Sequence, residues 1–135
     1  MRFELVSPER RLASTDDATA VRLPGADGDM TAMADHAPTI TSLRPGILTV
    51  ETPSGEERYA VTGGFAEIGE GVTVLAERSL AAADLTQEMF DGWLSDAKTA
   101  RDAAAGEAVD AAAKLLADMV AMGGEIGLNA NQANL

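Results

Sequence analysis

Gly25-Ala26-Asp27-Gly28-Asp29-Met30-Thr31-Ala32-Met33-Ala34-Asp35-His36-Ala37-Pro38-Thr39-Ile40-Thr41, followed closely by Leu43-Arg44-Pro45-Gly46-Ile47-Leu48, decides the class of the fold. It sets two turn signals, an acidic pair and the chain's single histidine between runs patterned as strands. Gly supplies φ > 0 and Pro a fixed φ, so these clusters reverse the chain and do not extend it. Working outward, short apolar segments at 2–6, 10–13, 18–23, 28–33, 39–43, 46–52, 57–62, 65–68 and 72–77 are expected strands. Between them lie Pro24-Gly25-Ala26-Asp27-Gly28, Pro53-Ser54-Gly55 and Gly69-Glu70-Gly71, the last reading as a hairpin. A spacing of roughly 8–12 residues suits a sandwich or barrel.

Period-two alternation supports the strands. Ile47, Thr49 and Glu51 share one face while Leu48, Val50 and Thr52 share the other; Val72, Val74 and Ala76 oppose Thr73, Leu75 and Glu77. Neither strand has a cleanly polar side, which predicts cover on two faces or a place at an inter-sheet edge. Met30 and Met33 are expected in the core.

After Ser79 the sequence turns Ala-rich with helical periodicity, so a boundary falls near residues 80–84. Asp84 or Thr86 can cap the first helix. Met89, Trp93, Ala97, Ala100 and Ala104 form its expected apolar stripe, and Gly106 its end. The second helix, from about residue 107 to 122, presents Val109, Ala112, Leu116 and Val120 and is expected to stop at Gly123-Gly124. A short connection between complementary stripes predicts an antiparallel helical hairpin. The expected organisation is a β-sandwich domain over 1–83, the hairpin over 84–123 and a flexible tail over 124–135.

Charge narrows the partners. A formal net charge of −12 argues against nucleic acid, whose phosphates demand clustered Lys and Arg, and against adsorption to an anionic membrane. Hydrophobic residues make up 46% of the chain, enough for a core, but aromatics only 4%, so Val, Leu, Ile and Ala must fill it. No run of ~18 apolar residues offers membrane insertion. With no cysteine, disulfides and thiolate metal sites are excluded, which suits a reducing compartment.

Catalysis finds no set of residues. His36 stands alone, with neither a cysteine nor a Gly-x-Ser-x-Gly elbow to work with. A zinc site would need three carboxylates beside it. Gly63-Gly64 lies between two strand-like runs, so it reads as a tight turn or bulge and not as a phosphate loop. Glu56/Glu57 and Asp27/Asp29 sit in turn-rich segments where carboxylates are solvated, and for Asp27 and Asp29 contact with a basic partner is the more credible role. No catalytic residue, metal or cofactor is expected.

Several motifs together carry a resemblance over residues 3 to about 86: Leu5-Val6-Ser7-Pro8-Glu9-Arg10-Arg11-Leu12, the turn Pro24-Gly25-Ala26-Asp27-Gly28-Asp29, Asp35-His36-Ala37-Pro38, Leu43-Arg44-Pro45-Gly46, Gly63-Gly64-Phe65-Ala66-Glu67-Ile68 and Val72-Thr73-Val74-Leu75-Ala76-Glu77. The chain resembles the epsilon subunit of F-type ATP synthases, the bacterial counterpart of the mitochondrial delta subunit. The resemblance implies a sandwich of about ten short strands followed by a helical hairpin, and a non-catalytic rotor role. In that family the sandwich joins the gamma subunit to the c-ring. Carried over by motif, Asp29, flanked by Asp27 and Met30, would face a c-ring loop. Ser7, His36, Pro38 and Thr41 would lie toward gamma. The hairpin would reach the alpha/beta catalytic subunits, and the location would be the cytoplasmic face of the bacterial inner membrane, peripheral through the complex.

The second half departs from the pattern. Some relatives bind ATP through Ile/Leu-Asp-x-x-Arg-Ala; here Val109-Asp110-Ala111-Ala112-Ala113-Lys114 puts Ala113 at the arginine position. Nucleotide binding at Val109, Asp110 and Ala113 is therefore not expected, and Asp110, Lys114 and Asp118 are expected as a surface ion-pair ladder. Lys98, Arg101 and Lys114 face seven acids, Glu88, Asp91, Asp96, Asp102, Glu107, Asp110 and Asp118, so inhibition of ATP hydrolysis by the hairpin is expected to be weak. The alternative reading is a nucleotide-sensing regulatory module whose hairpin changes position.

Overall fold

The computed structural model describes residues 1–130 and divides into two compact units, 1–82 and 83 onward. The first unit holds ten strands: β1 (Phe3–Ser7), β2 (Arg10–Thr15), β3 (Ala20–Gly25), β4 (Gly28–Met33), β5 (Thr39–Leu43), β6 (Gly46–Thr52), β7 (Gly55–Val61), β8 (Gly64–Ile68), β9 (Val72–Ala76) and β10 (Ser79–Ala81). They pair in the order β10-β7-β6-β3-β5-β8-β9-β1-β2, with β4 hydrogen-bonded to β3. β1 runs parallel to β9, and the other pairings are antiparallel.

The corner of the sandwich is β3. Its first half, Ala20 to Arg22, pairs with β6, and its last residue, Gly25, pairs with Leu43 of β5. One strand thus passes from one layer to the other at Pro24-Gly25, where Pro, lacking an N–H, interrupts the ladder. Ten strands and two helices match the architecture expected from the motifs. The run at 79–81, too short to alternate visibly, was beyond the residue-level reading and becomes β10 by pairing with Tyr59, Ala60 and Val61.

Inward-facing residues of both layers make the core: Phe3, Leu5, Val21, Leu23, Leu48, Val50, Val61, Ala66, Val72 and Val74 are all within 1% of full burial. At ~1.5–3 kcal/mol per fully buried large aliphatic or aromatic side chain, this cluster is what holds the sandwich together. The two strands read as double-faced behave differently. β6 buries Leu48, Thr49 and Val50 in succession, as expected of a strand covered on both sides. β9 buries Val72, Val74 and Ala76 but leaves Leu75 53% exposed.

Met30 leans on the core, whereas Met33 is 57% exposed, against expectation. Positions 30 and 33 differ by an odd number, so in a period-two strand they point to opposite faces. Ala32, opposite Val21, takes the buried place.

The second unit has a 3₁₀ turn (Ala82–Asp84), α1 (Gln87–Ala103) and α2 (Ala108–Glu125). Thr86 is the cap of α1, its Oγ1 accepting the Met89 N–H at 3.1 Å. The buried stripes are Phe90, Leu94 and Ala97 on α1 and Leu116, Met119, Met122 and Gly123 on α2. Ala97 and Leu116 lie in the stripes as expected, but Phe90 and Leu94 are buried where the sequence predicts Met89 and Trp93, Met119 where it predicts Val120, and Met89 and Val109 stay 40% and 43% exposed. Steps of three and four fit several registers in Ala-rich sequence, and the large side chains, not the alanines, choose among them.

Gly123-Gly124 does not stop α2. The Phe90 ring lies where a Cβ on Gly123 would fall, 2.1 Å from Cζ, so the glycine is a seat for the ring inside the helix. Of the expected ladder, Lys114 and Asp118 pair at 2.6 Å, while Asp110 is exposed. The tail over 124–135 begins as the last turn of α2, and residues 131–135 lie outside the described residues. No helix among the described residues is long and apolar enough to cross a membrane.

Candidate functional site

Hydrogen-bond register sorts the side chains of β5, β8, β9 and β1 into rows. Thr41, Ala66, Val74 and Leu5 are successive partners on the inner face; Ser42, Phe65, Leu75 and Val6 are successive partners on the outer one. The outer row places Phe65 (56% exposed) beside Leu75 (53%), and Ile40 (75%) stands one row away. A shallow groove of about 350 Å³ runs along it, walled by Val6, Ser7, Pro8, Phe65 and Leu75. Phe65 and Leu75 are thus adjacent exposed apolar side chains on the outer face.

Backbone close packing holds the groove's floor flat. Gly64 has φ +124, and a Cβ there would meet the Leu75 carbonyl oxygen at 1.9 Å, so only glycine lets β8 lie against β9 at this point. The expected tight turn at Gly63-Gly64 is thus the entry to β8.

Ser7 and Pro38 border this outer face from opposite ends. Ser7 ends β1 on the groove, and its hydroxyl donates to the Arg10 carbonyl at 3.3 Å. Pro38 is exposed beside Ile68, Gly69 and Val72, at the end of the sheet where Phe3 begins. The separation along β1 from Phe3 to Ser7 is about 13 Å at ~3.3 Å per residue. His36 lies in the connection before Pro38. Its N–H closes a turn onto Met33 O at 3.2 Å through Asp35 at φ +68, and its Nδ1 donates to the Ala37 carbonyl at 2.7 Å. Thr41 is half-buried on the inner row. The four residues expected to face gamma therefore do not converge on one point.

Sequence reasoning missed Ile40, Phe65 and Leu75. Phe65 and Leu75 occupy outward positions between the non-polar neighbours Gly64 and Ala66, and Val74 and Ala76, while Ile40 was legible as the one apolar residue between Thr39 and Thr41.

The acidic turn stands on another edge. Asp27 is exposed in the β3–β4 turn, Asp29 is the second residue of β4, and Met30 after it is half-buried. Asp29 is already engaged: Arg44, from the β5–β6 connection, forms an ion pair with it and donates a second bond to Gly25 O at 2.6 Å. Its side chain is nonetheless 80% exposed, leaving the carboxylate's outer edge to solvent. Val109, Asp110 and Ala113 are all exposed on the first turns of α2. Among the described residues no group of His, Cys, Asp and Glu could hold a metal ion.

The family model for the ATP synthase delta/epsilon chain β-sandwich domain matches residues 1–82. The ATP synthase epsilon chain of Rhodobacter capsulatus is 60% identical over 129 residues, 95% of this chain and 97% of the relative. That of Paracoccus denitrificans is 54% identical, covering 99% of this chain and 95% of the relative. Among solved structures, a chain of the Euglena gracilis mitochondrial ATP synthase (OSCP/F1/c-ring) superposes with TM-score 0.65 at 23% identity, covering 86% of this chain and 74% of its own. A chain of the Tetrahymena thermophila mitochondrial ATP synthase central stalk and c-ring gives 0.68 at 16%, covering 93% and 94%. These last two likenesses are of fold.

Proposed function

The chain belongs to the ATP synthase delta/epsilon family, and from that premise we propose that it is a non-catalytic rotor subunit whose sandwich fastens gamma to the c-ring. One observation carries the reading: the outer row Ser42-Phe65-Leu75-Val6, an apolar strip on a chain of net charge −12. Such a strip supports a permanent, shape-fitted contact, and a shaft that transmits torque needs many modest contacts of that kind. In this reading gamma covers the strip, with Ser7 and Pro38 at its two borders and His36 in the connection before Pro38, while Thr41, on the inner row, is not part of that contact.

The c-ring meets the other edge, through Asp27, Asp29 and Met30. Arg44 supports this by holding the Asp29 carboxylate in one orientation, its outer edge turned to solvent. Attachment to the membrane sector makes the subunit peripheral, on the cytoplasmic face. The hairpin's acidic surface supports weak inhibition of ATP hydrolysis at most. The nucleotide-sensor reading is not favoured, since the motif's arginine position is Ala113, which has no cation for a phosphate.

Copurification tests the assignment. With this chain tagged in its own cell membranes, gamma and the c-subunit are recovered together, and Phe65→Glu combined with Leu75→Glu abolishes recovery of gamma. Gamma retained undiminished by a correctly folded double variant would remove the strip from the interface.

A further inference from the structure

Asp-Gly occurs at Asp27-Gly28 and at Asp91-Gly92, and the fold gives the two pairs opposite settings. Asp91-Gly92 lies inside α1, where the amide N–H groups are committed to carbonyls four residues back and the Asp91 carboxylate accepts the Gln87 Nε2–H at 2.8 Å. Asp27-Gly28 lies at the tip of the β3–β4 hairpin. Tethers stop on either side of it: the Ala26 N–H bonds to Ser42 O at 2.8 Å, and Asp29 is held by Arg44. Between them Asp27 and Gly28 are both exposed, and the Asp27 carboxylate has no hydrogen bond or ion pair among the described residues. Gly28 keeps its register opposite Gly25, but its φ is +139, and a Cβ placed on it would meet nothing within 4 Å. The space beside its nitrogen is open.

We propose that Asp27-Gly28 is a site of spontaneous isoaspartate formation in the folded chain, and that α1 protects Asp91-Gly92 from the same reaction. The Gly28 backbone nitrogen attacks Cγ of the protonated Asp27 carboxyl; an N–Cγ bond forms, the Cγ–OH bond breaks, and the hydroxyl leaves as water with the nitrogen's proton. The product is a five-membered cyclic imide, favoured because both reacting atoms belong to one short stretch of chain. Glycine, without a Cβ, leaves that approach uncrowded. Water then opens the ring. Addition at Cγ restores aspartate, whereas addition at the Asp27 backbone carbonyl breaks that carbonyl's bond to nitrogen and leaves the main chain running through Cγ. Only water is released and taken up again, so mass and charge are unchanged. The main chain gains one methylene in a two-residue turn, next to the Asp29–Arg44 pair. In α1 the same attack would require the Gly92 nitrogen to leave the helical ladder, which happens only on local unfolding. The reaction is independent of what the sandwich binds.

Ageing the purified full chain tests it. After weeks at neutral pH and body temperature, isoaspartate is quantified by enzymatic methyl transfer from S-adenosylmethionine and located by fragmentation of tryptic peptides; cleavage after Arg58 and Arg78 separates the two pairs. Isoaspartate accumulates at Asp27 on the order of tenfold or more faster than at Asp91, because the second pair waits for α1 to open. In guanidinium chloride the two rates converge. Asp27→Glu, whose imide would need a six-membered ring, abolishes the product in its peptide. Asp27→Asn reaches the same five-membered imide with loss of ammonia and without a protonated carboxyl, and its gain in mass outpaces the parent's isomerisation. Equal rates at Asp27 and Asp91 in the folded chain, a gap undiminished by guanidinium chloride, product that persists in the Asp27→Glu peptide, or an Asp27→Asn chain that keeps its mass overturns the proposal.

Discussion

The Arg44 guanidinium grips the Asp29 carboxylate across the corner of the sandwich while another of its nitrogens donates to the Gly25 carbonyl at 2.6 Å. The backbone at both ends of this contact is fixed as well, Arg44 N–H bonding to Pro24 O at 3.0 Å and Ala26 N–H to Ser42 O at 2.8 Å. One cation therefore joins β3, β4 and the β5–β6 connection at the point where the chain changes layers.

The two partners of that pair differ in what they do for stability. Asp29 is largely exposed, and an exposed pair contributes ~0–1 kcal/mol, so Asp29→Lys leaves the unfolding free energy within about 1 kcal/mol of the parent. Arg44→Ala also strips a partner from the half-buried Gly25 carbonyl and costs ~1–3 kcal/mol. Urea unfolding distinguishes them. Proton-driven ATP synthesis falls in Asp29→Lys although the subunit stays folded; equal synthesis in that variant would take Asp29 out of the c-ring contact.

The seat of Phe90 on Gly123 predicts an overpacking cost at a glycine. A Cβ 2.1 Å from Cζ cannot be accommodated without moving the ring, so Gly123→Ala destabilises the hairpin by ~1–3 kcal/mol. Trimming the ring with Phe90→Leu in the same chain makes room, and the double variant loses less than the sum of the singles. Thermal unfolding followed by Trp93 fluorescence reads both effects. Strict additivity would mean that the two residues do not touch.

Tyr59 predicts a loss of stability in alkali. Burial, and then the 2.8 Å bond it donates to Glu57 and that group's charge, push its hydroxyl up to about 12 from 10.0. Above pH 10 the unfolded chain gives up this proton while the folded one keeps it. The contribution is whole below about pH 10 and is lost as pH rises toward 12. Tyr59→Phe, which retains the stack on Phe3 at 6.5 Å, flattens that part of the stability curve. An identical alkaline slope in the variant would show that another group titrates.

The sandwich was legible because period-two alternation and the Gly/Pro/Asp turns act over five or six residues, and Gly28–Met33, Thr39–Leu43 and Gly46–Thr52 are strands with the bounds read from sequence. The layer change within β3 and the parallel pairing of β1 with β9 depend on residues distant in the chain and leave no local pattern. In the hairpin, repeated alanines blurred the register, which Phe90, Leu94 and Met119 set through tertiary contact. At the candidate site, Asp27 and Asp29 were visible as turn acids. That Arg44 holds Asp29 was not, because the pairing spans 15 positions. The exposed strip failed to stand out for a simpler reason: in strands apolar on both sides, hydrophobicity alone does not say which side faces water.

The measurement that bears most directly on the rotor role uses the chain's lack of cysteine. Leu75→Cys introduces a single thiol in the centre of the apolar strip, to which a short photoactivated cross-linker is attached in the assembled ATP synthase. Illumination yields a product between this chain and gamma, and the linked enzyme still turns. A product with the catalytic subunits alone, or a thiol that labels freely from solvent in the intact complex, contradicts the account.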